Sequence, residues 1–161
     1  MLDRFFVIGV LALLAGNTSF AQTERARNTG NGYFFVAPGV EGCCGGIMQV
    51  GGGGEATIHK GLGVNADLGY MFPIDAAGAG VFTFSAGPTY LFNASRKTVP
   101  FITGGGTLAF RSGFGGAYHL GGGVIHWFHP KWGLRFEVRD HIPTRNSDSH
   151  LVVFRAGVAL R

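Results

Sequence analysis

Between Leu62 and Phe72 the residues alternate without a break: Leu62, Val64, Ala66, Leu68, Tyr70 and Phe72 form one set, Gly63, Asn65, Asp67, Gly69 and Met71 the other. Successive side chains of a strand point to opposite faces of a sheet, so this segment predicts a strand with one apolar face and one polar or nearly bare face. The same division separates Phe82, Phe84, Ala86, Pro88, Tyr90 and Phe92 from Thr83, Ser85, Gly87 and Thr89. It returns in Trp132, Leu134, Phe136 and Val138 against Gly133, Arg135, Glu137, Arg139 and His141.

From Tyr33 onward the period-2 pattern recurs between clusters of Gly, Pro, Asn and Asp, and no ten-residue stretch keeps a helical apolar face. The chain therefore reads as all-β, with strands expected near 33–40, 47–58, 62–72, 80–92, 100–111, 117–128, 132–142 and 150–160. Most are near the ~9–11 residues that cross a bilayer at a tilt, and an even number of antiparallel strands can close into a barrel. With 161 residues, one folded unit is expected. Composition agrees: 29 glycines disfavour helices, and 14% charged residues is low beside the ~25% usual for a soluble domain.

Alternation alone does not say which face is outside, since a soluble barrel hides its apolar face and a membrane barrel shows it. The charged residues decide it. Glu55, Asp67, Arg111, Arg135, Glu137, Arg139 and Arg155 fall in phase with the glycines and small hydroxyl residues, and inside a narrow barrel they can pair and fill the lumen. The opposite face then makes an apolar band for lipid. Trp127, Phe128 and Trp132 flank the turn His129-Pro130-Lys131 and are expected to form an interfacial aromatic girdle.

At the start, Asp3 and Arg4 precede an apolar run from Phe5 to Ala15, then the small-polar segment Gly16 to Ala21. The run is too short for a span of ~20 residues and predicts a secretory signal peptide cut after Ala21. The expected organisation is a signal peptide over 1–21, a flexible leader over 22–32 and a barrel over 33–161. The formal charge of +4 is spread along the chain, so nucleic acid is not an expected partner. Cys43 and Cys44 are adjacent, with no second ligand pair to suggest a metal site. The runs Gly51–Gly54, Gly104–Gly106 and Gly121–Gly123 open no helix, so they are not phosphate loops; in a small barrel they permit curvature and leave room for arginines.

Pro100-Phe101-Ile102-Thr103-Gly104-Gly105-Gly106, Leu120-Gly121-Gly122-Gly123-Val124 and the strand Trp132-Gly133-Leu134-Arg135-Phe136-Glu137-Val138-Arg139-Asp140-His141 resemble the outer-membrane β-barrel domain family, the relatives of OmpA and OmpX. The resemblance spans about residues 33–161 and implies an eight-stranded antiparallel up-and-down transmembrane barrel. It also implies placement in the cell outer membrane, with outer-membrane lipid and the barrel-insertion machinery as partners. Relatives usually end in an aromatic residue; this chain ends Val158-Ala159-Leu160-Arg161, though Phe154, Val158 and Leu160 keep the apolar phase. No cell-wall-binding domain is expected after Arg161.

Because fold does not fix function, three roles stay open. The first is a structural or interaction barrel whose lumen is filled by polar and charged side chains, with no catalytic site, cofactor or metal. A narrow, anion-favouring pore is the second, and a soluble secreted ligand-binding barrel with the faces reversed is the third. Ser112, Ser147 and Ser149, with His141 and Asp148, match no lipid-hydrolase spacing and read as polar loop residues.

Overall fold

A computed structural model describes residues 30–41, 45–145 and 150–161. The expected signal peptide, most of the leader, Cys43, Cys44 and the segment Ser147-Asp148-Ser149 lie outside these residues. Eight strands follow one another: β1 (Gly30–Glu41), β2 (Gly45–His59), β3 (Leu62–Pro73), β4 (Val81–Leu91), β5 (Thr98–Phe110), β6 (Phe114–His129), β7 (Trp132–Pro143) and β8 (Leu151–Leu160). Each pairs antiparallel with the next, and β1 pairs with β8, so the sheet closes on itself. Closure leaves no free edge, which is the condition for a sheet to stand in an apolar medium. A three-residue 3-10 turn, Ala77–Ala79, interrupts the β3–β4 connection.

All eight expected strands are present, with ends moved by up to three residues. The largest consequence is at β1, where Gly30-Asn31-Gly32, read from sequence as the end of the leader, pair with Ala56, Glu55 and Gly54. Those residues carry no apolar signal of their own, and the β2 register extends the strand over them.

The up-and-down order gives the barrel two unlike rims. One carries Gly30, Arg161 and the connections at 60–61, 92–97 and 130–131; the other carries the connections at 42–44, 74–80, 111–113 and 144–150. At the first rim the β2–β3 hairpin turns on Lys60 (φ 46°) and Gly61 (φ 90°). Two successive positive-φ residues match the twist of the flanking strands, and a Cβ at Gly61 would meet the Leu91 carbonyl oxygen.

The faces sort as the charges predict. Phe34, Leu120, Ile102 and Phe154 point outward and stay exposed, Phe34 and Leu120 each at 68%, while the Arg139 side chain on the inward face is 0% exposed. This polarity is the reverse of a soluble barrel around an apolar ligand cavity, so the reversed-face alternative does not describe the fold.

Inward glycines give the charged side chains their space. Glu137 lies opposite Gly123 on β6, Arg139 opposite Gly121, Arg135 opposite Gly157 on β8 and Asp67 opposite Gly53 on β2. A Cβ at Gly123 would overlap the Phe136 carbonyl, one at Gly157 the Phe34 carbonyl, and one at Gly53 would come within 2.6 Å of the Asp67 Cβ. At these points the strands coil too tightly for a second inward side chain beside the long one.

Candidate functional site in the lumen

Strand β7 supplies the centre of the lumen. Its alternation turns Leu134, Phe136 and Val138 outward and Arg135, Glu137, Arg139 and His141 inward, so four consecutive inward positions are titratable. Glu137 takes the Arg139 Nε–H at 2.6 Å through Oε1 and the Arg135 Nε–H at 3.3 Å through Oε2, with Arg155 Nη1 at 3.5 Å. Asp67 on β3 accepts from Arg139 Nη1 and from Arg155 Nη2, each at 3.0 Å. Glu55 on β2 accepts from Arg135 Nη1 at 3.2 Å.

The cluster is closed on itself. Three carboxylates, Glu55, Asp67 and Glu137, face three guanidiniums, Arg135, Arg139 and Arg155, and all six are buried. Charges taken out of water are tolerated only when paired and hydrogen-bonded. Further support comes from Tyr33, whose hydroxyl donates to Asp67 at 3.3 Å, and from Asn31 and Thr89, which donate to Glu55 at 3.3 and 3.4 Å. Aromatic faces cover the cations: Arg135 lies 3.9 Å from the Phe101 ring centre and 4.4 Å from that of Tyr33, and Arg155 lies 3.5 Å from that of Phe35.

Above this layer, on the side of the 74–80 connection, His119 and His141 are direct cross-strand partners, and both Nδ1 atoms reach the Thr107 hydroxyl, at 3.0 and 3.2 Å. Ser85 Oγ lies 2.9 Å from the same hydroxyl. Apolar residues fill the lumen at both ends: Leu91, Val99, Ile125, Trp127 and Ala159 near the Arg161 rim, and Ala37, Ile47 and Val153 near the other. Along the lumen the ion cluster and the His119–His141 polar layer thus lie between buried apolar side chains towards both ends.

Six of the seven charged residues expected in the lumen meet there. Arg111 does not: β5 ends at Phe110, and Arg111 sits exposed in the β5–β6 turn, donating from Nη2 to the Gly78 carbonyl at 3.0 Å. Its apparent phase is an extension of the strand pattern past the strand. Its removal from the set leaves three carboxylates against three guanidiniums.

The expected girdle also divides. Phe128 and Trp132 are outward and exposed at 61% and 49%, but Trp127 is buried, in phase with Ile125. Adjacent residues of a strand cannot share a face, so Trp127 and Phe128 could not both look outward. Sequence reading passed over Tyr33, Phe35 and Phe101 as lumen residues, although Phe101 stands two places from Thr103 and is therefore in the inward phase. His119 and His141 were legible by the same rule.

Of the rim residues weighed as polar loop groups, His141 points into the lumen and Ser112 lies exposed in the 111–113 turn, while Ser147, Asp148 and Ser149 lie outside the described residues; at the same rim His150 Nδ1 lies 2.7 Å from Asp140 Oδ2.

No family model and no curated protein matches the sequence. Among solved structures the chain is similar to Neisserial surface protein A, with a TM-score of 0.65 at 15% identity over 82% of this chain and 96% of that one. It is similar to the N-terminal β-barrel domain of Pseudomonas aeruginosa OprF, with a TM-score of 0.61 at 10% identity over 81% and 96%. The outer-membrane enzyme PagL matches with a TM-score of 0.54 at 18% identity over 80% and 98%. The fold is that of the small eight-stranded outer-membrane β-barrels, as the resemblance in β5, β6 and β7 implies.

Proposed function

We propose that this chain is an exported outer-membrane protein, a sealed transmembrane barrel with a structural or interaction role and no steady conductance. The observation that carries the reading is the reversed polarity of the wall: large apolar side chains cover the outside while six paired charges occupy the inside. In water such an exterior would be an aggregation surface, whereas in a bilayer it is the solvated face. The signal-peptide reading of residues 1–21 supports export, and the insertion machinery and outer-membrane lipid are the partners that this route requires.

The balanced ion cluster and the buried apolar side chains towards both ends support a closed lumen, since eight strands enclose a space that side chains can fill. No catalytic role is assigned. One of the solved barrels of this shape is an enzyme, but Ser112, Ser147 and Ser149 with His141 and Asp148 match no lipid-hydrolase spacing in this sequence. The expected outcome in planar bilayers is a silent protein: folded, purified barrel added at high concentration gives no stepwise current. Regular conductance steps from the folded species would overturn the sealed-lumen reading.

A further inference from the structure

Three carboxylates and three guanidiniums balance in the ion cluster, and that balance holds only while the histidines beside it stay neutral. His119 on β6 and His141 on β7 stand directly opposite one another, both buried, with ring centres 5.9 Å apart. Both Nδ1 atoms reach the Thr107 hydroxyl on β5, at 3.0 and 3.2 Å, and Ser85 Oγ on β4 lies 2.9 Å from it. One hydroxyl thus ties four consecutive strands inside the lumen. Its three neighbours match what a hydroxyl offers, one O–H to donate and two lone pairs to accept with.

The second nitrogen of each ring is left over. Nε2 of His119 and Nε2 of His141 are buried with no hydrogen-bond partner in the protein. A neutral imidazole can present a lone pair there, but a protonated ring carries N–H on both nitrogens, and a buried N–H without an acceptor is costly. The charged groups that face the pair are Arg139 and Glu137 on β7, Asp67 on β3 and Arg155 on β8. Both carboxylates are already engaged, Asp67 by Arg139 and Arg155 at 3.0 Å each and Glu137 by Arg139 at 2.6 Å. The two guanidiniums oppose any further cation. On β4, β5 and β6 the pair meets Ser85, Thr107 and Gly121, which carry no charge.

We propose that Ser85, Thr107, His119 and His141 form an acid-released latch. With both imidazoles neutral it ties β4 to β7 through one hydroxyl. Protonation sets two like charges side by side next to Arg139, with no acceptor for either Nε2–H, so it undoes the tie and weakens the barrel.

The test is urea unfolding of the detergent-folded barrel at about pH 7.5, 6 and 5, a range that brackets the ordinary imidazole value. The folded fraction is read from the band that shifts on boiling. The comparison is His119→Asn/His141→Asn, in which an amide that takes up no proton replaces each ring. The unfolded chain binds protons that the folded pair does not, so stability falls as pH falls. From pH 6 to pH 5 the unfolding constant of the parent is expected to rise over that of the variant by roughly tenfold for each histidine, about a hundredfold for the two. A parallel pH dependence in parent and variant would overturn the latch. Where the double variant does not fold, the ring C–H resonances of the parent decide. Those of His119 and His141 are expected to stay in place over this range while those of the exposed His59 and His129 move. Movement of the two buried rings along with the exposed ones, in a barrel that stays folded, would overturn it.

Discussion

Glu137 is the residue on which the interior turns, because it alone touches all three guanidiniums of the cluster. Substituting an apolar side chain leaves those cations buried with fewer partners, and breaking such a set by removing one member costs about 3–5 kcal/mol. Glu137→Leu is therefore expected to lower the urea unfolding midpoint of the detergent-folded barrel, and an unchanged midpoint would contradict the ionic interior. The partners of Glu137 were readable from phase alone, since Arg135 and Arg139 flank it at two-residue steps and the cross-strand neighbours are glycine and Arg155. Arg111 and Trp127 mark where phase fails. The first lies one residue beyond its strand, and the second shares an aromatic dipeptide that chemistry invited us to place on one face but geometry splits between two.

At the scale of elements, a strand's interior was legible and its ends were not. β1 gained Gly30 to Gly32 through pairing with β2, and β6 reaches from Phe114 to His129, longer than its apolar pattern, because β5 and β7 both offer it partners. Turns obey a different chemistry, and the Lys60–Gly61 hairpin shows it. Lys60 holds φ 46°, a conformation that Asn tolerates better than Lys. Lys60→Asn should raise stability by about 1 kcal/mol or less, whereas Gly61→Ala should lower it, since the new Cβ would meet the Leu91 carbonyl. Unfolding curves of the two variants moving the same way would contradict the turn geometry.

For the whole molecule, the ion cluster and the His119–His141 layer lie between buried apolar side chains towards both ends of the lumen, while the outer wall presents large apolar side chains. The inside-out arrangement was legible because charges and glycines share one phase, a coincidence that a soluble β-core has no reason to produce. What phase could not supply was the stacking of layers along the axis. That depends on register between strands distant in sequence, such as Asp67 meeting Arg155.

The central claim is that the wall faces lipid. It is tested most directly by fractionating cells that express the full chain and running the outer-membrane extract on gels with and without boiling. A band in the outer-membrane fraction that changes mobility on boiling is the predicted result, because a closed barrel resists detergent until its hydrogen-bonded wall is melted. A protein recovered from the periplasm without detergent, with one mobility under both conditions, would contradict the account.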